Sequence, residues 1–360
     1  MPGGASRFLQ RAPQLEKFDL VVIGASAGGV GSLQRVVEHI PADFPAAIVV
    51  VLHLPDGIKS LLPQILARAG NLPASHAVNG EAIEAGRIFI APAGFHLTVR
   101  PGRLMVTRGA REHGHRPAID PLFRSAAVSY GARAIGVILS GLLDDGTVGL
   151  REIKRAGGLA IVQDPRDTEW PSMPQSALNH VQVDYSVPAT QIGTLLQQIV
   201  MKRRSVPVMA TGDDKLATEE LRELTMHRDE RQHPGEPSPY SCPECGSVLW
   251  ELKDGELLRF RCRVGHAYTS DTLTTEQALV VEHALWSALR ALEEQAAVRR
   301  RMAERATRQG RTSFAARCRD RAQELDQQAQ QVRNLVLAGV GAAEEATTEE
   351  PADEPAPEEP

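Results

Sequence analysis

The chain has 360 residues, 42% of them hydrophobic, and a formal net charge of −5; eight acidic residues fall between Glu344 and Pro360, so with those removed the rest sits near +3. That length exceeds one compact domain, and neither charge points to a nucleic-acid partner. No stretch supplies the roughly 18 uninterrupted apolar residues of a membrane span, and the polar N-terminus MPGGASRFLQRAPQLEKFDL has no secretory apolar core, so a cytoplasmic protein without membrane insertion is expected.

In chain order, residues 1–17 form an N-terminal extension. From 18 to 201 short β-branched runs alternate with amphipathic stretches, the pattern of an α/β, doubly wound, mainly parallel sheet. The predicted strands are Leu20–Ile23, Ala47–Leu52, Arg87–Ile90, Ala134–Leu139 and Ala160–Gln163. The predicted helices include Ser32–His39, Ser60–Ala69 and Leu122–Tyr130, and HLTVRPGRLMVT turns at Pro101-Gly102 as a hairpin. Residues 202–239 read as a polar linker with a short helix near Ala217–Met226. A small cysteine-bearing module spans 240–270. Residues 271–340 have helical spacing broken at Gln309-Gly310, predicting a long helical hairpin, and 341–360 form a disordered acidic tail.

Open parallel sheets build sites outside the carboxyl ends of their strands. Three such ends here carry reactive residue types. DLVVIG runs into Ser26 among small residues, AAIVVVL into His53, and AIGVILSG into Asp144-Asp145. A hydroxyl exposed at a strand-to-helix turn, an imidazole to take its proton and a carboxylate to fix that imidazole form a nucleophilic triad, which predicts a carboxyl-ester hydrolase. Asp144 is the rival of Asp145 for that role, or a solvated loop residue. A serine in such a turn also serves as an N-cap or phosphate cradle, so a nucleotide-binding domain stays open as a weaker reading. His115, Arg116 and Asp120 are candidates to line the cleft or to form a structural ion pair. Met173 and Pro174 are placed before a helix, where they either shape a pocket or cap that helix, and His76, His96 and His113 are read as surface or packing residues.

With those residues in place, the segment from about Phe18 to Met201 resembles the catalytic domain of the chemotaxis receptor protein-glutamate methylesterases, the CheB type. The matching strings are VVIGASAGGVGSL, VVLHLPDG, IFIAPAGFHL, GHRPAIDPLFRSAA, GVILSGLLDDGTVGL and PSMPQSAL. The resemblance implies Ser26 as nucleophile, His53 as base and Asp145 as acid, and hydrolysis of glutamate γ-methyl esters on the helices of a methylated chemoreceptor or receptor-like protein, with deamidation of receptor glutamines in some members. Two departures from the family bear on substrate choice, Leu142 where it has Met and Asp144 where it has Asn; Leu142 is a substrate-binding candidate, beside His115, Arg116 and Met173 from the reading of the residues. Fewer than twenty residues precede the first strand, so the family's receiver domain and phosphorylation control in cis are expected to be absent, and a separate receiver or signalling protein becomes a candidate partner.

The remaining signal is Cys242-Pro-Glu-Cys245 followed by Cys262 and His266 around an apparent hairpin, which is zinc-ribbon spacing. Four protein ligands leave no open position, so one structural zinc is expected in the module and no cofactor for catalysis. Cys318 is predicted to be a buried small residue, and Trp286 to pack near the stripe Val280, Val281, Ala284, Leu285, Ala288, Leu289 and Leu292. A non-enzymatic signalling adaptor, binding partners through the ribbon and helices, is the competing reading of the whole chain.

Overall fold

The computed structural model of the chain describes residues 19–54, 60–204, 235–254 and 257–345. The helix expected near Ala217–Met226, the N-terminal extension and residues 346–360 of the expected tail lie outside the described residues, whereas 341–345 are helical. The chain divides into two compact units, Met1–Leu273 and Thr274–Pro360.

The first unit is built on a seven-stranded parallel sheet. In chain order its strands are β1 (Leu20–Ala25), β2 (Ala47–Leu52), β3 (Ala74–His76), β4 (Ile88–Ile90), β7 (Ala134–Ile138), β8 (Leu159–Gln163) and β9 (Tyr185–Val187). Their spatial order is β3-β4-β2-β1-β7-β8-β9. Every side chain of β1, β2 and β7 is buried. Strands covered on both faces read as unbroken apolar runs, and each Val, Leu or Ile so buried contributes about 1.5–3 kcal/mol.

One face is covered by α1 (Gly29–Glu38), α2 (Leu62–Ala69) and α6 (Ala189–Arg204), which share a core with Val21, Ile23 and Val50. The other is covered by α3 (Ile119–Tyr130), α4 (Thr147–Arg155) and α5 (Ser172–His180), around Leu20, Val22 and Val49. A hairpin of β5 (His96–Arg100) and β6 (Arg103–Thr107) packs on α3, where the Val99 amide donates to Ser125 Oγ at 3.0 Å. The predicted strands and hairpin are present with shifts of a residue or two. The short edge strands β3 and β9 are additions, half-buried or exposed and therefore without an apolar run to announce them.

The cysteine-bearing module belongs to the same unit. It is a four-stranded antiparallel sheet in the order β10 (Glu236–Ser241), β11 (Val248–Asp254), β12 (Leu257–Cys262) and β13 (Ala267–Thr269). Its small core holds Leu249, Phe260, Tyr268 and Leu273.

The second unit is a helical hairpin made from α7 (Ser270–Arg308), which begins in the first unit, and α8 (Thr312–Glu345). Gly310 turns the chain at φ +70°, a conformation glycine adopts without a Cβ penalty. The helices run antiparallel, with Arg300 paired to Asp326 and Arg333 to Glu293. The buried seam recurs at heptad spacing: Leu289, Ala296 and Ala303 on α7, and Ala315, Cys318, Ala322, Leu325 and Ala329 on α8. Cys318 therefore packs as a small apolar residue. Trp286 does not pack: it is half-exposed and donates from its indole N–H to Glu282, and Val280 and Val281 are exposed beside it.

Candidate functional site

Ser26, His53 and Asp145 follow β1, β2 and β7, three adjacent strands at the centre of the sheet. From β1 the chain steps to one side through β2 and β4, and to the other through β7 and β8, so the site sits at the topological switch point. Backbone bonds fix the three loops together: the Ser26 amide donates to Ser140 O at 2.9 Å, and the His53 amide to Ala25 O at 3.1 Å.

The side chains meet. His53 Nδ1 lies 3.1 Å from Ser26 Oγ, and His53 Nε2 lies 2.8 Å from Asp145 Oδ2. An ionised carboxylate only accepts, so Nε2 carries the proton in the neutral ring, and Nδ1 is left to accept from the serine hydroxyl. The Asp145 carboxylate also accepts the amides of Ile119 (2.7 Å) and Asp120 (3.0 Å), the first two residues of α3, where the helix dipole favours negative charge. Burial alone would raise this carboxyl. The charge of His113, the hydrogen bond and charge of His53 and the Ile119 amide together outweigh it and hold Asp145 well below the usual carboxylate range.

Asp144, the alternative acid, does not reach His53 in this arrangement. It is buried rather than solvated, and burial raises its carboxyl. His115 stacks on His53, with ring centroids 3.8 Å apart and an interplanar angle of 17°. Its pKa falls to about 4, first through burial and then through the charge of His53, so it is neutral near pH 7.

The loop after β7 passes very close to the serine. A Cβ on Gly141 would sit 2.8 Å from Ser26 Cβ and equally close to Met173 Sδ, so only glycine fits there. Met173 lies within α5 rather than before it and is 0% exposed, backing Gly141 from inside. Leu142, next in the loop, is 44% exposed beside the serine. The Gly141 amide is spent on Trp170 O and the Leu143 amide on Ser172 Oγ. Arg116 donates to the carbonyls of Gly94 and Gly109, holding loops together, and Asp120 pairs with His113 instead of Arg116.

Two features escape sequence reasoning. Trp170, 40% exposed, lies against Gly28 two residues past the serine, and only its position in the loop before α5 hinted at this. His113 is not a surface residue but lies in a buried carboxylate cluster.

In the module, Cys242, Cys245, Cys262 and His266 place their ligand atoms within 4.8 Å of one another, an arrangement that could hold a metal ion. Cys245 Sγ is 3.8 Å from Cys262 Sγ, and His266 Nδ1 is 3.6 Å from Cys242 Sγ and 3.4 Å from Cys262 Sγ. The other ring nitrogen of His266 lies 3.2 Å from Glu244 Oε2, a carboxylate that orients the imidazole.

Fold and site together define a parallel α/β protein with a Ser–His–Asp relay at its central strand ends. The family model described as CheB methylesterase matches residues 21–196. The chain is 39% identical over 183 residues to "Protein-glutamate methylesterase/protein-glutamine glutaminase 2" of Anaeromyxobacter dehalogenans, covering 51% of this chain and 54% of that protein. It is 36% identical over 179 residues to "Putative protein-glutamate methylesterase/protein-glutamine glutaminase" of Leptospira interrogans, covering 49% of this chain and 93% of that one. The crystal structure of the Thermotoga maritima CheB methylesterase catalytic domain is 35% identical, with a TM-score of 0.49, and covers 51% of this chain and 99% of that one. The chain belongs to the CheB methylesterase family. It spans about half the length of the Anaeromyxobacter relative.

Proposed function

We propose that this chain is a protein-glutamate methylesterase acting on methylated chemoreceptors or receptor-like helical proteins, with a companion activity on receptor glutamines. The reading rests on one observation, the continuous hydrogen-bonded line from Ser26 through His53 to Asp145 in a chain of this family. Ser26 Oγ attacks the ester carbonyl as His53 Nδ1 takes its proton, and Asp145 stabilises the imidazolium. His53 returns that proton to the departing methoxide, releasing methanol and leaving a glutamyl ester on Ser26. Water, deprotonated by the same imidazole, then frees the glutamate; a glutamine substrate would release ammonia by the same steps.

The developing oxyanion needs backbone donors that are not already spent, each contributing about 2.7–4 kcal/mol. The amide of Ala27, directly after the nucleophile, occupies the position a nucleophile elbow uses for this purpose. Leu142 and Trp170, exposed apolar side chains on the loops that approach the serine, are assigned to substrate contact, whereas His115, Arg116 and Met173 act from behind it.

The Cys242, Cys245, Cys262 and His266 set is assigned to one structural zinc. A tetrahedron with Zn–S near 2.3 Å and Zn–N near 2.0 Å has S···S edges of about 3.8 Å and S···N edges of about 3.5 Å, which the ligand atoms match. Such thiolates persist in a reducing compartment, so we place the protein in the cytoplasm. Among the described residues, no helix is long and apolar enough to cross a membrane. An adaptor would have no use for a buried carboxylate kept ionised beneath an imidazole, and that reading is not favoured.

The test is methanol release from methylated receptor cytoplasmic fragments. Ser26→Ala should abolish it, and undiminished release from that variant would remove the assignment.

A further inference from the structure

The cysteine-bearing module is joined to the α/β domain beside the triad. Glu112 accepts from Arg124 of α3 at 2.8 and 3.0 Å and from Arg261 of β12 at 2.9 Å. The His113 amide donates to Ala267 O at 2.8 Å, and Arg111 pairs with Glu244 in the Cys-Pro-Glu-Cys turn at 3.5 Å. The segment 111–113 is therefore clamped between the two sheets.

The His113 side chain points from this seam toward the reaction centre and is 4% exposed. Its Nε2 lies 3.0 Å from Asp120 Oδ2 and 3.8 Å from Asp145 Oδ1, while its Nδ1 lies 3.3 Å from Thr272 Oγ1 and 4.0 Å from Asp144 Oδ1. The backbone at His113 has φ 53°, a left-handed conformation that costs a non-glycine residue energy and persists where surroundings enforce it. Three carboxylates thus face one imidazole in a buried site, with Arg124 Nη1 also 3.9 Å from Asp120 Oδ2. Without a cation between them they repel, and the cheapest relief is to protonate one.

We infer that His113 is a positioning residue for the triad, and that the cysteine-bearing module is a working part of the active site because it and the first turn of α7, which follows it directly, hold His113 through Ala267 and Thr272. The inference rests on the esterase reading for its meaning in catalysis. Burial disfavours the charged ring, but Asp145, Asp120 and Asp144 outweigh that and lift His113 to about 9, which keeps it cationic near pH 7. The cation locks Asp120, and with it the α3 amides that grip Asp145. It also keeps Asp145 ionised under His53.

The test uses the full chain and two readouts. The first is saturation labelling of Ser26 by a fluorophosphonate, which needs no knowledge of the receptor. His113→Leu should lower the maximal labelling rate about 10–100-fold, leaving the half-saturating probe concentration nearly unchanged. Adding Asp120→Asn, which removes one of the crowded charges, should recover about threefold or more. A His113→Leu chain that labels like the parent, or one that Asp120→Asn does not rescue, overturns the inference. Where His113→Leu fails to fold, Thr272→Val decides: a loss of about threefold supports the link and unchanged labelling overturns it. The second readout is amide hydrogen exchange of the peptide covering residues 117–124, which should quicken in His113→Leu and Thr272→Val. A parent chain that resists labelling defeats the esterase reading alone, and unchanged exchange in both variants then overturns this one.

Discussion

The rings of His53 and His115 lie stacked at 3.8 Å, so the imidazole that bridges Ser26 and Asp145 is held on its flat face as well as at both nitrogens. Because burial and the neighbouring His53 keep His115 neutral near pH 7, its contribution is that of an aromatic plate, not of a charge. His115→Phe should preserve the plate and keep Ser26 reactivity near the parent value. His115→Ala should lose about 0.5–1.5 kcal/mol, a two- to tenfold drop in labelling rate. Equal losses in both variants would show that the ring nitrogens of His115 matter instead.

Asp145 accepts three hydrogen bonds, from His53 Nε2 and from the amides of Ile119 and Asp120. Asp145→Asn turns one of its oxygens into a donor that faces donors, which expels an amide or forces His53 into the wrong tautomer. A fall of about 10⁴-fold in turnover is expected, with the fold retained by circular dichroism. A loss below about tenfold would mean that the carboxylate does not set the tautomer.

How much of this was legible in the sequence follows from where each signal lives. Ser26 and His53 directly follow apolar strands and Asp145 lies in the loop after a third, so their convergence could be read from the tendency of parallel sheets to build sites at strand carboxyl ends. His113 could not: its partners Asp120, Asp145 and Thr272 come from three separate elements, the last 159 residues away. The strands of the sheet centre declared themselves because both faces are buried, whereas β3 and β9 sit at its edges with mixed exposure. Trp286 illustrates the reverse error. Helical spacing placed it near an apolar stripe, but spacing does not say which part of a stripe finds a partner, and the buried seam begins only at Leu289.

The four candidate ligand atoms of the module lie within 4.8 Å of one another, with Glu244 behind His266. Native mass spectrometry should therefore find one zinc per chain. Cys262→Ser should lose it, since metal binding and folding are one event in so small a module. Chelation at neutral pH should lower the melting temperature and expose the thiols of Cys242 and Cys262 to a disulfide reagent. A chain that binds no zinc and whose three module thiols react at once would refute the metal assignment.

Glu112 is a carboxylate shared by Arg124 and Arg261, and it lies within the seam between the two sheets. Burial works to raise its pKa, but Arg124 and Arg261 prevail and hold it at about 2. A carboxyl lowered on folding stabilises the native state above its unfolded value, near 4.5, and that contribution is lost as the pH falls toward about 2. Glu112→Gln removes the carboxylate charge that both guanidinium groups pair with in the seam and should cost about 3–5 kcal/mol in urea unfolding near neutral pH. The parent should lose stability between pH 4.5 and 2 more steeply than the variant, because the variant has no proton to take up at this position. Parallel stability curves for the two proteins across that window would show that the Arg–Glu–Arg cluster does not bind the module to the α/β domain through charge.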